Sequence, residues 1–152
     1  MKTAIVIKNK KATFEQEFSR LKVLCERKNI RLTPLRAAVW ECLWQAKTPL
    51  GAYDIVSMLK ESNEKTPPVS VYRILDFWQN NGVVHCVSEE NAYVLCAFPD
   101  EKHVPVFTVC SVCGAMEEIK AEKLMKELKK NVKKFKIKNA TVRLDGLCAN
   151  CK

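Results

Sequence analysis

Four of the eight cysteines form two Cys-x-x-Cys pairs, Cys110 with Cys113 and Cys148 with Cys151. Each pair can present two thiolates about 3.7 Å apart to one ion, and two pairs complete a closed tetrahedral site with Zn–S bonds near 2.3 Å. A redox dithiol instead needs a low-pKa cysteine at a helix N-terminus, and neither pair precedes an evident helix. The spacing therefore predicts a structural zinc site.

A second set of possible metal ligands is less regular. It contains both histidines of the chain, one cysteine from outside the two pairs and an acid: His85, Cys96, His103 and Glu118. A mixed nitrogen, sulfur and oxygen tetrahedron would tie the orientation of two domains to metal occupancy. Each residue also has an ordinary role, as a surface histidine, a small core residue or a solvated charge. The residues alone leave both interpretations open, and they also leave open whether Glu117 or Glu118 turns inward.

Charge and composition narrow the class of protein. The 152 residues carry a net charge of +9, which favours a polyanionic partner such as nucleic acid, although a solvated basic surface is the alternative. No apolar run approaches the ~18 residues that span a membrane, so we expect a cytoplasmic protein without a membrane partner. Eight cysteines in a reducing compartment favour metal binding over a disulfide framework.

The N-terminal half contains start and stop signals for four helices. A capping box opens at Thr13, Thr33 precedes a proline, Gly51 can open a third helix, and Ser70 is the expected cap of the fourth, which Gly82 ends. The expected helices cover 13–28, 33–46, 51–60 and 70–81. Two strands around a polar turn follow, at 83–87 and 93–97. Helices followed by a hairpin predict a winged-helix DNA-binding domain over 13–97, preceded by a mobile basic arm, 1–12.

The remaining chain predicts a small α+β domain. Two prolines, charges and a histidine within 97–105 indicate a hinge, placed at 98–104. Strands at 104–109 and 115–119 precede a helix over 122–132 with Leu124 and Leu128 inward. Phe135, Ile137 and later apolar residues alternate as in a strand. Residues 105–152 are too few to be stable alone, so we expect a dimerisation and metal-binding domain held by zinc and a partner.

These segments resemble the ferric uptake regulator (Fur) superfamily, and within it the zinc uptake regulator branch. The resemblance covers nearly the whole chain beyond Thr13. It is carried by RLTPLR (31–36), LGAYD (50–54), PVSVYRILDF (68–77), GVVH (82–85), NAYVLC (91–96), CSVCGAMEE (110–118) and GLCANC (146–151).

The resemblance implies a homodimer that binds a palindromic double-stranded DNA operator with zinc as corepressor and silences zinc-uptake genes. Two zinc ions per monomer are implied, one structural and one sensing. The structural ligands would be Cys110, Cys113, Cys148 and Cys151, and the sensing ligands His85, Cys96, His103 and Glu118.

The resemblance places DNA contacts at Tyr53 and Arg73. Arg73 fits this role because a guanidinium on a helix in the major groove can bond bidentately to guanine. We expect Arg31, Arg36 and the basic arm to add salt-dependent phosphate contacts.

Other functions remain as alternatives. An iron- or peroxide-sensing member is the nearest, but the hinge lacks the histidine cluster of such relatives, and a thiolate ligand such as Cys96 selects for zinc over hard iron. A thiol oxidoreductase is the alternative from a different class, and a zinc-ribbon adaptor would leave Arg73 unexplained. We expect no enzymatic activity and no small-molecule substrate.

Overall fold

The computed structural model describes residues 5–6, 12–46, 48–62, 65–87, 91–137 and 140–152. In this part of the chain no helix is long and apolar enough to cross a membrane. The elements are, in chain order, β1 (Ile5–Val6), α1 (Phe14–Arg27), α2 (Pro34–Gln45), α3 (Ala52–Glu61), α4 (Pro68–Asn80), β2 (Val84–Val87), β3 (Ala92–Leu95), β4 (Val106–Cys110), β5 (Ala115–Ile119), α5 (Glu122–Asn131) and β6 (Val142–Gly146).

Local capping sets where the first helices begin. The Thr13 hydroxyl accepts a hydrogen bond from the Gln16 backbone N–H, and the Gln16 side chain accepts one from the Thr13 N–H at 3.0 Å. The predicted capping box is therefore confirmed. Thr33 accepts from the backbone N–H of Arg36 in the same way, so α2 also begins where the sequence predicts.

The start of α4 differs from the prediction. The helix begins at Pro68 with Pro67 as its cap residue, and Ser70 lies inside the first turn. Proline tolerates the first helical position because it has no N–H to leave unbonded and its φ is already helical. The end is as predicted, since Gly82 adopts a φ of +71° that favours glycine.

The helices and the β2–β3 hairpin pack as a winged helix around a shared core. Val39, Ile55, Leu75 and Trp78 are fully buried at its centre. The indole N–H of Trp78 donates to the Arg36 carbonyl, which joins α4 to α2. The hairpin pairs antiparallel with His85 opposite Val94, and the expected turn at 88–90 lies outside the described residues.

The C-terminal sheet has the strand order β1-β5-β4-β6. β4 runs antiparallel to β5 and parallel to β6. β1 pairs in parallel with β5, with Ile5 opposite Ala115. The expectation of a mobile arm is therefore wrong for Ile5–Val6, which belong to the sheet. The backbone groups along the outer edge of β5 are available for such pairing. Residues 1–4 and 7–11 lie outside the described part of the chain.

Two further expectations for this domain are wrong. Leu124 and Leu128 of α5 are 43% and 42% exposed, and Met125 packs inward instead. Phe135 and Ile137 lie in an irregular exposed segment rather than a strand, whereas Val142 and Leu144 lie on β6 as expected. β6 is the last strand on its side of the described sheet, so residues 135–137 do not add a strand there.

Candidate metal centres and DNA-contact surface

Strand pairing brings the two Cys-x-x-Cys pairs together. Cys110 ends β4 and lies opposite Gly146 at the end of the parallel strand β6, so the turns that follow both strands meet. The Ser111 N–H donates to the Gly146 carbonyl at 2.8 Å, and Gly114 turns the chain with a φ of +73°. The pairing of β4 with β6 therefore brings both turns together at the same end of the sheet.

The four sulfur atoms form one cluster. They all lie within 4.8 Å of one another, and Sγ of Cys113 is 3.6 Å from Sγ of Cys148. This distance is far longer than an S–S bond of about 2.05 Å and close to the roughly 3.8 Å edge of a tetrahedral Zn–S4 centre. The cluster therefore has the donor set and the spacing of a structural zinc site.

The electrostatics of this cluster favour a bound cation. Backbone hydrogen bonds from Cys113 and Cys148 lower the pKa of Cys110 to about 6, whereas hydrogen bonds with the thiols of Cys148 and Cys113 raise the pKa of Cys151 to about 12. The first thiolate thus forms readily and the last one only at high pH. A divalent metal removes this difference between the two cysteines, because all four sulfurs bind it as thiolates and it replaces the protons that the thiols would otherwise share.

The mixed set also converges on one point. His85 lies on β2, Cys96 follows β3, His103 lies in the connector before β4, and Glu118 lies on β5. One ligand atom from each of them lies within 4.8 Å of the other three. The cluster therefore joins the winged helix, the connector and the C-terminal sheet.

The Nε2 atoms of both histidines face the Glu118 carboxylate. His103 Nδ1–H donates to the Glu101 carbonyl at 2.8 Å, and its Nε2 lies within hydrogen-bonding distance of Glu118 Oε1, at 2.7 Å. His85 Nε2 lies 3.0 Å from the same oxygen, yet this buried nitrogen has no hydrogen bond with correct geometry to any described residue. Two imidazole nitrogens and a carboxylate that converge in this way fit a metal ion, and the Glu101 contact orients the His103 ring as outer-shell partners do.

Glu118 is the inward acid of its strand. Its side chain is only 4% exposed, whereas Glu117 faces solvent, so strand alternation places Glu118 in the cluster. Burial favours a higher pKa, but the contacts with His85, the Ala97 N–H and His103 outweigh it and lower the pKa of Glu118. The carboxylate is therefore ionised and ready to bind a cation.

The Cys96 thiol keeps its proton when no metal is present. Burial and the neighbouring Glu118 carboxylate raise its pKa to about 12, and the backbone N–H of Phe98 donates to its sulfur at 3.3 Å. Metal binding must therefore displace this proton. Two histidine nitrogens, one thiolate and one carboxylate match the ligands and coordination number of zinc.

Ion pairs hold the connector to both domains. Arg27 at the end of α1 pairs with Asp100, and Lys120 beyond β5 pairs with Glu101 at 2.7 Å. Lys120 also lies over the Phe98 ring, 4.8 Å from its centroid. These bracing residues could not be predicted from the sequence, because ion-pair partners so far apart along the chain leave no spacing signal.

Three of the four residues expected to contact DNA are exposed, namely Tyr53, Arg73 and Arg31. Tyr53 on α3 is 66% exposed and packs edge-on against Tyr72 of α4, next to the exposed Arg73. Arg31 is also exposed. The structure thus brings Tyr53 of α3 against α4, the helix on which Arg73 is exposed.

Arg36 has a different environment from these three. Its guanidinium stacks 3.6 Å from the centroid of the Phe77 ring, and it donates to the Arg31 carbonyl at 2.6 Å. Arg36 therefore packs α2 against α4, which limits how far it can reach towards a phosphate.

Comparison with known proteins gives one consistent result. A model of the ferric uptake regulator family matches residues 27–145. The zinc uptake regulation protein of Escherichia coli (strain K12) is 33% identical over 93% of this chain and 84% of its own length. A solved structure of a zinc uptake regulator complexed with zinc and DNA superposes with a TM-score of 0.81, at 32% identity, over 91% of this chain and 95% of that one.

Two states of one relative superpose differently. Holo XcZur has a TM-score of 0.78 at 32% identity, covering 88% of this chain and 96% of its own. Apo XcZur, aligned over a similar length at 30% identity, has a TM-score of 0.50. The domain arrangement described above is therefore similar to that of the holo form.

Proposed function

The chain belongs to the ferric uptake regulator family, and from this premise we propose that it is a zinc-responsive, DNA-binding transcriptional repressor. The observation that carries the proposal is the cluster of His85, Cys96, His103 and Glu118, which joins both domains. As a zinc-loaded homodimer the protein binds a palindromic operator and silences zinc-uptake genes. Each monomer holds two zinc ions, one in each ligand cluster.

The ligand set accounts for the choice of metal. Zinc, when bound, supplies a divalent charge with a tetrahedral preference that two imidazoles, a thiolate and a carboxylate can share. The soft sulfur of Cys96 favours zinc over iron or manganese, which take harder ligands. An iron-sensing function is therefore the weaker alternative.

The four mixed-site residues perform the switch by fixing a domain orientation. His85 and Cys96 belong to the wing, His103 to the connector and Glu118 to the C-terminal sheet, so all four meet only when the winged helix has one orientation. Moving this equilibrium from 1:99 to 99:1 needs about 5.5 kcal/mol of differential binding. A four-ligand zinc site can supply that amount. The similarity to holo rather than apo XcZur supports this mechanism.

Exposed apolar side chains on the C-terminal domain support the homodimer. Leu124 and Leu128 of α5, Leu144 of β6 and Phe135 are all exposed, and β6 is an edge strand of the described sheet. A second copy of the chain would cover these side chains and extend the sheet. Dimerisation would then hold two winged helices at the spacing of a palindrome.

DNA recognition is assigned to α4 and α3. Arg73 reads a base pair in the major groove and Tyr53 contacts the same duplex, because both are exposed on adjoining helices. Arg31 adds a phosphate contact, while Arg36 acts mainly by holding α2 against α4. The thiol oxidoreductase alternative loses its basis because all four paired cysteines lie in one cluster, and the family is one of regulators rather than enzymes.

The test is operator binding at controlled metal activity. A high-affinity duplex is first selected from random DNA with zinc-loaded protein, and its Kd is then measured in zinc buffers and with ferrous iron under anaerobic conditions. We expect tight binding with zinc and a loss of at least tenfold when the mixed site is emptied. Equal affinity with ferrous iron would instead indicate an iron sensor, and equal affinity without metal at that site would exclude a metal switch.

A further inference from the structure

The net positive charge of the chain comes from residues outside its winged helix. Residues 13–97 contain ten Lys and Arg against ten Asp and Glu, so this unit has no formal net charge. Four lysines lie in residues 1–12, and nine lysines against two glutamates lie in residues 120–138. The largest excess of positive charge therefore lies on the domain that the proposed function does not assign to DNA.

Helix α5 arranges several of these lysines on one side. Lys123, Lys126 and Lys130 recur at intervals of three and four residues, so they share a helical face, and all three are exposed. Leu124 and Leu128 occupy the opposite face. Lys133, Lys134 and Lys136 continue the charge in the exposed segment beyond the helix. We call these six residues the lysine surface.

We propose that the lysine surface is a second DNA-contact site, which binds the phosphates of duplex DNA without reading sequence. The inference rests on the proposed function, since it assigns further DNA contacts to a DNA-binding repressor. It goes beyond that function because these contacts are separate from the recognition helix α4 and lie on the dimerisation domain.

The balance of charges supports this assignment. Salt-dependent affinity for DNA comes from cationic side chains that displace counterions from phosphates, and an electroneutral winged helix supplies little net attraction. Lys123 and Lys130 are about 10 Å apart along the helix axis, which is the rise of about three phosphates on one strand. Lysines suit this contact because they act as mobile point charges without a fixed geometry.

Duplex DNA fits the surface better than a lipid bilayer. A helix that lies in a membrane interface must bury its apolar face in the lipid. Here the apolar face of α5, Leu124 and Leu128, is assigned to the second copy of the chain, which leaves only the lysine side available.

The test uses the full-length zinc-loaded protein and a duplex that lacks the operator. The variant Lys123→Gln/Lys126→Gln/Lys130→Gln removes three charges and keeps residues that form helices well. Arg20→Gln/Lys22→Gln/Lys102→Gln removes three exposed charges away from α3, α4 and α5 and serves as the control. The Kd is measured over a series of salt concentrations, together with the zinc content and the ratio of operator to non-operator affinity at high salt.

We expect the first variant to lower the slope of log K against log salt by about 2 to 3 per engaged protomer and to weaken non-operator binding tenfold or more at low salt. The control should change both quantities much less. An unchanged slope, as expected if the lysines served an acidic protein, overturns the inference, and so does an equal change in both variants. Failure of the proposed function is separately visible, because wild-type protein would then show no zinc-dependent preference for operator.

Discussion

Glu118 Oε2, on β5 of the C-terminal sheet, accepts a hydrogen bond from the backbone N–H of Ala97 at 2.7 Å. Ala97 directly follows Cys96, and the other oxygen of the same carboxylate faces His85 and His103. One carboxylate thus contacts both the end of the wing and the two imidazoles. Under the proposed function, this carboxylate is the link through which metal occupancy would set the orientation of the winged helix.

The pair Glu118 and Glu117 provides a matched test of this role. Glu118→Gln keeps the size of the side chain and an oxygen for Ala97 but removes the negative charge, so we expect zinc affinity at the mixed site to fall at least tenfold. Glu117→Gln on the exposed side of the strand should change nothing. Competition with a chromogenic chelator measures both affinities. Equal effects of the two substitutions would contradict the assignment of Glu118.

Loss of the four-cysteine site should unfold the C-terminal domain. Cys113→Ser removes one thiolate, and because binding energy at a structural zinc site is also folding energy, we expect β5 and α5 to exchange amide hydrogens rapidly. The helices α1 to α4 have their own core and should stay protected. Hydrogen exchange and zinc content measure the effect, with Cys86→Ser, outside both clusters, as the control. A Cys113→Ser protein that keeps two zinc ions and normal protection would disprove the structural role.

The exposed leucines of α5 give a prediction for the oligomeric state. Leu124→Glu/Leu128→Glu places two charges on the proposed dimer surface, so we expect a monomer at micromolar concentration in sedimentation analysis. Val23→Glu, at an exposed apolar position on α1, should remain a dimer. If the double variant sediments as a dimer, the partner must use another surface.

Arg73 and Arg36 should differ in what they control. Arg73→Ala should weaken operator binding by about 1 to 3 kcal/mol, relax specificity at one base position and leave thermal stability unchanged. Arg36→Ala loses the stacking on Phe77, so we expect it to lower the free energy of unfolding by about 1 kcal/mol. Calorimetry and operator titration at physiological salt separate the two effects. Full operator affinity in Arg73→Ala would rule out its role in recognition.

Local signals made much of the fold predictable. The caps at Thr13 and Thr33 and the positive φ at Gly82 depend on residues within one turn, so sequence alone locates these helix ends. Pro67, Pro68 and Ser70 are each compatible with the start of α4, and the sequence alone does not show which of them begins the helix. The paired cysteines are equally local, because their spacing specifies the turn and the ligand type.

Features that depend on distant partners could not be predicted in this way. Apolar periodicity identified Leu124 and Leu128 as one face of α5, but it cannot tell whether that face meets the chain's own sheet or another molecule. The mixed site needed the register that places Phe107 opposite Glu118 as well as the path of the connector. The interaction between Arg36 and Phe77 crosses two helices and has no signature in sequence.

The most direct test of the account is the zinc content of wild type and Cys96→Ser, measured with operator affinity on the same samples at fixed salt. Cys96 belongs to the mixed cluster and not to the four-cysteine cluster, so its loss should empty only one site. We predict that two zinc ions per monomer fall to one, that the dimer persists and that operator binding is lost. One zinc ion in both proteins with unchanged operator binding would contradict the zinc switch and leave a DNA-binding protein without metal control.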